Sequence, residues 1–246
     1  MPFYGQSNYL LSSVLFCKIS LLTHEFIDLE IIKINYKKPD PQVVKKAADI
    51  IKSGGLVIAP TETVYAIFGD ALNRETIEKV FQLKQRDPGK RFDLTLCPCE
   101  RIYEYVEYNP LIPKILAGFP KLPISFGLPR KKTLPPFLNS GFETVSFHFF
   151  FSQLDKELFK YIDTPLIGTS ANISGQPDVS SAEKVVECFS PTFGTPLEPE
   201  LILDGGKLIK KNPSAIIELS GNGIKVIRGG DIGAEKLRRD LDKIEK

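Results

Sequence analysis

Two short apolar runs, LVIAP at 56–60 and TPLIG at 164–168, constrain this chain most. Each is too short for a helix and is hemmed in by glycine, proline or threonine, so each reads as a short buried strand. Helical patterns stand between such runs. In PDPQVVKKAADIIKSGG, Asp40 is placed to cap a helix and Pro41 suits its first position. Val44, Ala47, Ala48 and Ile51 form its apolar face, and Gly54-Gly55 ends it. A second amphipathic helix is expected over 74–84, with Ile77, Val80 and Phe81 on one face. The basic loop KQRDPGKR then leads into a strand, FDLTLC. Further strands are expected around 123–128 and 143–151 and in ELILD, SAIIEL and IKVIR, with helices at 153–162, 181–189 and the charged C-terminus. This alternation predicts a mixed α/β sheet in a single domain over 31–246, preceded by an appended segment of unknown role at 1–30.

Composition removes several functional classes. The 246 residues are 42% hydrophobic and 25% charged, enough for a sizeable core, and the net charge is only +2. That balance argues against a dedicated non-specific nucleic-acid binder while allowing local basic patches. With two histidines, a His-rich metal centre is excluded. The four cysteines fit no disulfide framework, and Cys97-Pro98-Cys99 is too close for a usual zinc half-site. A reducing cytoplasm is the simplest compartment. The apolar stretch YLLSSVLFCKISLL at 9–22 lacks a basic leader, carries Lys18 and is too short to span a bilayer. No membrane partner is expected.

Candidate chemistry lies in polar clusters at predicted strand ends. They are Thr61-Glu62-Thr63, the TSANIS run at 169–174, Asn212-Pro213-Ser214 and Arg228-Gly229-Gly230, with Lys84 and Arg86 where a helix gives way to a loop. In open α/β sheets such ends converge on a ligand crevice, where hydroxyls and cations suit phosphate oxygens. Each cluster also has a plain structural reading. The threonines could cap a turn, Lys84 and Arg86 could be a solvated helix terminus, and Ser214 and Arg228 could be surface groups. Neither GxxxxGK[ST] nor GxGxxG is present, so a nucleotide site here needs another scaffold.

GGLVIAPTETVYAIFGDA, then LKQR, PLIGTSANISGQP and LILDGG…NPSAIIEL…IRGG, taken together, resemble the YrdC/TsaC family, whose best-known members are L-threonylcarbamoyladenylate synthases. The resemblance covers roughly 36–235, with some features of the YciO branch in DPGKRFDLTL. It implies a one-domain twisted sheet with flanking helices and a concave basic groove, in the short form without an extra C-terminal domain. It implies a nucleotidyltransferase that joins L-threonine, bicarbonate and ATP into threonylcarbamoyl-AMP and pyrophosphate, with Mg2+ held mainly through the ATP phosphates. The product would serve tRNA N6-threonylcarbamoyladenosine modification through partner proteins.

Carried over by position, Lys84 and Arg86 would be catalytic and hold the phosphates, and Ser170, Asn172, Ser214 and Arg228 would complete the nucleotide site. Thr63, Thr169 and His148 would face threonine. No protein-held metal is implied. Three departures stand out: His148 where the family carries an arginine, Lys121 where it carries a glycine, and Thr95 where many synthases carry a histidine. Histidine cannot make arginine's bidentate grip. A divergent YciO-like relative that binds nucleotide or RNA through Lys84, Arg86, Lys90, Arg91 and the RKK at 130–132 is the alternative. A carbamoyl-phosphate module like that of hydrogenase-maturation proteins is a third reading, which lacks its companion segments.

Overall fold

The computed structural model describes residues 29–120, 122–149, 152–209, 214–220 and 223–245. The appended segment expected at 1–30 lies almost wholly outside these residues, as do Lys121, Phe150 and Asn212-Pro213.

The strands are β1 (Glu30–Lys33), β2 (Val57–Pro60), β3 (Tyr65–Asp70), β4 (Asp93–Thr95), β5 (Ile124–Pro129), β6 (Thr144–His148), β7 (Leu166–Ser170), β8 (Leu201–Asp204), β9 (Ala215–Ser220) and β10 (Gly223–Arg228). They form one mixed sheet in the order β1-β8-β2-β3-β7-β4-β6-β5-β9-β10. The helices are α1 (Pro41–Lys52), α2 (Arg74–Leu83), α3 (Leu111–Gly118), α4 (Gln153–Leu158), α5 (Ala182–Phe189) and α6 (Ala234–Glu245). The expected α/β architecture is present.

Local signals explain most of these elements. Asp40 accepts from the Gln42 amide at 2.8 Å at the start of α1, and Gly54 follows the helix at φ +89°, which favours glycine. Asn73 caps α2, and Ser152 with Asp155 forms a reciprocal capping box on α4. Three elements escape the sequence reading. β1 has a strand's residues but little around it to mark it. β3 is buried on both faces, so its apolar residues show no alternation. In α3, Pro113 looks like a breaker but occupies the first turn, where no intrahelical donor is needed.

Alternation along the strands sorts the two faces. Ile58, Ile67, Leu94, Phe126, Phe147, Ile167 and Ile217 point to one side, where Ile77 and Val80 of α2, Ile112 and Ile115 of α3, Val185 of α5 and Leu237 of α6 complete the larger core. On the opposite side, α1 and α4 cover Val57, Ala59, Ala66, Phe68 and Leu166. That cover falls on β8, β2, β3 and β7. The same face of β4, β6, β5 and β9 is left open, and this uncovered strip is the floor of a cavity.

Candidate functional site

The cavity encloses about 630 Å³. Of the residues proposed from the sequence, Thr63, Arg86, His148, Thr169, Ser170, Ser214 and Arg228 line it, although alternation along β7 puts the Thr169 side chain on the same face as Ile167. They do not all stand at one sheet edge, as a crevice of converging strand ends would require. Gly168 pairs with Asp93, Asp93 with Ser146, Ser146 with Gly127 and Gly127 with Glu218, in one row across β7, β4, β6, β5 and β9. From that row, Ser170 and the Thr61–Val64 turn lie toward one end of the strands. His148, Ser214 and Arg228 lie toward the other. The cavity therefore runs along the face of the sheet, with cationic or hydroxyl groups at both ends.

At the first end, Thr61 closes the turn after β2. Its hydroxyl donates to the Val64 carbonyl at 2.7 Å and accepts from the Thr63 amide at 3.2 Å. Thr61 thus has the structural role, and Thr63 lines the cavity beside it. Arg86 lies over the Phe92 ring at 5.1 Å, and one terminal nitrogen donates to the Arg91 carbonyl at 2.6 Å. Its Nε is buried without a hydrogen-bond partner. Burial pulls its pKa down, and nearby Asp93 opposes that shift.

Lys84 and Asn172 depart from the expected roles. Lys84, expected on the ATP phosphates, is 1% exposed and does not line the cavity. Its ammonium is used inside the protein. It donates to the Ser170 carbonyl, to the Asn172 carbonyl at 2.7 Å and to Asn172 Oδ1 at 3.3 Å. An ammonium has three donors, so none remains for a phosphate in this arrangement. Burial, with the neighbouring Arg86 charge, pushes its pKa from 10.5 down to about 8. Asn172 is also buried outside the lining: it accepts from Ser170 Oγ at 2.6 Å and donates to the Gln176 carbonyl at 2.6 Å. The Ser170 proton thus points into the turn, and its lone pairs are left for the cavity.

At the other end, Arg228 Nε donates to the Ser214 carbonyl at 2.7 Å, which ties β10 to the start of β9. His148 pairs with Ser125 across β6 and β5, and its Nδ1 lies 3.2 Å from the buried Ser125 hydroxyl. Thr95 stands on the other side of His148 and also lines the cavity. Lys90 and Arg91 line it as well, whereas the 130–132 patch is partly structural. Arg130 donates to the carbonyls of Pro135 and Leu138 at 2.8 Å, and Lys131 to that of Tyr103 at 2.7 Å.

Several lining residues were missed from sequence: Asp93, Ser146, Gly127, Glu218 and Asp155. The first four could have been found by counting along the strands in steps of two from cavity positions such as His148. Asp155 has no such signal, because it enters from the start of α4. Burial raises its carboxyl from 3.8 to about 6.

Among the described residues, a mixed ten-stranded sheet whose open face carries hydroxyls, arginines and carboxylates along one cavity defines an α/β protein with a polar, charged crevice. Comparison with known proteins gives the lineage. The Sua5/YciO/YrdC family profile, described as "Telomere recombination", matches residues 49–230, and the chain belongs to that family. Threonylcarbamoyl-AMP synthase of Pyrococcus abyssi is 28% identical over 202 residues, which cover 82% of this chain and 58% of that protein. The structure of P. abyssi Sua5 complexed with L-threonine superposes with a TM-score of 0.74 at 26% identity, over 85% of this chain and 60% of the other. Escherichia coli YciO shares the fold, with a TM-score of 0.72 at 20% identity, over 84% of this chain and 98% of its own. The chain thus spans under two thirds of the length of the archaeal synthase.

Proposed function

We propose that this chain is an L-threonylcarbamoyl-AMP synthase, with 31–246 acting as one YrdC-like domain after a separate segment at 1–30. The observation that supports this most directly is the joint lining of one cavity by Thr63, Arg86, Thr169, Ser170, Ser214 and Arg228, on the fold of a relative whose structure is described as a threonine complex.

The ammonium group of L-threonine loses a proton, and the resulting amine condenses with bicarbonate to give a carbamate and water. A carbamate oxygen then attacks the α-phosphorus of ATP. The bond to the β-phosphate bridging oxygen breaks, and pyrophosphate leaves. The carbamate is already an anion, so the obstacle is electrostatic: two anions must meet, and charge builds on the leaving group. Fixed cations and donors meet that need by positioning. Arg86 brings an unpartnered Nε at one end of the cavity, and Arg228 brings charge at the other. Lys84 contributes through the turn that it holds.

Magnesium would be held mainly through the phosphates of the nucleotide. Among the described residues no group of three or more His, Cys, Asp or Glu is placed to hold a metal. The lone pairs of Ser170 Oγ suit such an ion as a single protein ligand, the other ligands being phosphate oxygens and water. When bound, it would neutralise charge on the departing pyrophosphate. The product would pass to proteins that place the threonylcarbamoyl group on adenosine 37 of tRNA, in the cytoplasm.

The experiment is pyrophosphate release from ATP by purified protein, with L-threonine, bicarbonate and magnesium omitted in turn. Release that requires both threonine and bicarbonate supports the synthase. No release, with ATP binding retained in calorimetry, overturns it in favour of a divergent nucleotide-binding relative.

A further inference from the structure

The middle of the cavity floor differs chemically from its ends. Ser146 is 7% exposed and lines the cavity, and its hydroxyl has no hydrogen-bond partner. A buried hydroxyl left unbonded carries a free-energy penalty that a bound polar group relieves. On one side of Ser146, across the sheet, is Asp93; on the other is Gly127, followed by Glu218. Gly127 supplies no side chain, and the Glu218 side chain leans over it: a Cβ built on Gly127 would lie 3.4 Å from Glu218 Cγ. Gly127 itself lines the cavity, so the floor there is a shallow slot, bounded by Ser146 on one side and by the stem of Glu218 on the other.

Charge decides what can lie there. Asp93 and Glu218 have no cation beside them in that row of the floor and disfavour phosphate oxygens there, whereas elsewhere in the lining Arg86, Lys90, Arg91 and Arg228 stand against Glu62, Asp155 and Asp178 and attract them. The middle suits a neutral unit that has hydroxyls to donate to a carboxylate and one to share with a serine. A vicinal diol on a sugar ring has that pattern.

We infer that the slot over Gly127 receives the ribose of the nucleotide, with its 2′ and 3′ hydroxyls bonded to Glu218 and Ser146. This rests on the reading of the cavity as an ATP site and adds which part of ATP is read, and by which residues. It makes Ser146 and Glu218 specificity-determining: they report whether the sugar carries both hydroxyls.

The test uses the full chain and calorimetric affinities for ATP, 2′-deoxy-ATP and 3′-deoxy-ATP with magnesium. A hydroxyl donating to a carboxylate predicts a loss of about 10- to 100-fold for at least one deoxy analogue. In Glu218→Gln and Ser146→Ala proteins the gap between ATP and that analogue narrows. Gly127→Val, which fills the slot, weakens ATP more than it weakens pyrophosphate. Equal affinities of the unaltered protein for all three nucleotides would overturn the inference while leaving the ATP reading intact; that result would suit an ammonium group over the two carboxylates instead. No binding of any nucleotide would overturn both. Because the unaltered protein gives the decisive comparison, failure of a variant to fold leaves the test standing.

Discussion

The ammonium of Lys84, at the end of α2, is bonded to both the carbonyl and the side-chain oxygen of Asn172, which lies 88 residues further along the chain. The Ser174 amide returns the link by donating to the Lys84 carbonyl at 2.8 Å. The turn that presents Ser170 to the cavity is therefore built on Lys84.

A first prediction separates binding from stability. Below about pH 8 Lys84 keeps the donors that three acceptors need, and above it one is lost. Arg86, Asp178 and Cys188 are the charged or titratable groups that act on it. ATP affinity should therefore decline as pH rises through about 8. Global stability follows the opposite sign. The folded pKa lies below the unfolded value of 10.5, so the unfolded chain holds more protons between the two, and this group's contribution to stability rises with pH there. Lys84→Met should lower ATP affinity, abolish the alkaline decline and lower the melting temperature at all pH values, because the Ser170 carbonyl and both Asn172 oxygens lose their donor. It should also be non-additive with Ser170→Ala. Calorimetry from pH 6.5 to 9.5 beside thermal melts checks all of this, and additive losses would mean that Lys84 touches the phosphates itself.

A second prediction concerns His148. An arginine there would place a permanent cation and five donors beside Thr95 in the cavity, where the imidazole has only two nitrogens, one of them against Ser125. His148→Arg should leave threonine-dependent pyrophosphate release unchanged or raise it. It would also strip the buried Ser125 hydroxyl of its partner, for a cost of about 1–3 kcal/mol. Adding Ser125→Ala should then recover melting temperature without altering the rate. A His148→Arg protein that folds but is slower would show that the imidazole has a specific role.

How far the sequence could be read follows from which interactions are local. The helix from Asp40 to Gly54 was legible because cap, apolar face and terminator lie within one segment. The lining at Thr63, Ser170 and Arg86 was legible because each belongs to a compact motif. The contacts of Lys84 were not legible, because a lysine two residues before an arginine looks the same in sequence whether its ammonium faces a phosphate or three protein oxygens. Its partners are set by the antiparallel pairing of β3 with β7, which brings residue 172 back to the end of α2. Ser146 and Glu218 were missed because they become neighbours only through strand order, with β5 inserted between β6 and β9. The bare patch of sheet that forms the floor was equally hidden, since it depends on α1 and α4 covering β3 and β7 and stopping there.

A third prediction uses Asp155, whose carboxyl is buried at the start of α4 and accepts from the Ser152 amide at 2.7 Å. Burial raises its pKa above the ordinary 3.8, to about 6, with a smaller push from the Glu62 charge. The folded state then holds the proton more tightly than the unfolded chain. The stability from this group is fully present below about pH 4 and is lost as pH rises through 6. Asp155→Asn keeps an oxygen for the Ser152 amide but cannot ionise. Its melting temperature should exceed that of the unaltered protein above pH 6, by something on the order of a few degrees. The two melting curves should converge near pH 4. A uniform loss at all pH values would mean that the ionised carboxylate is required by the capping box.

The last prediction bears on the arginine that the proposed chemistry needs most. Arg86 is held from two sides, by the Phe92 ring and by the Arg91 carbonyl, so little rotamer freedom remains to be lost when a ligand binds. Its Nε is desolvated and unpartnered, so the guanidinium carries an unmet demand for an acceptor beside the cavity that Arg86 lines. Arg86→Ala should abolish measurable pyrophosphate release, since losing one preorganised donor typically costs roughly 10²–10³ in rate, and here a full charge is removed as well. Arg86→Lys should not rescue it. A lysine ammonium cannot reproduce the stacked planar fork, and the neighbouring Lys84 charge would disfavour a second buried ammonium. Melting curves should confirm that both variants fold. Full activity in Arg86→Ala would remove this residue from the site, and would move the search for the phosphate anchor to Lys90 and Arg91 on the same wall.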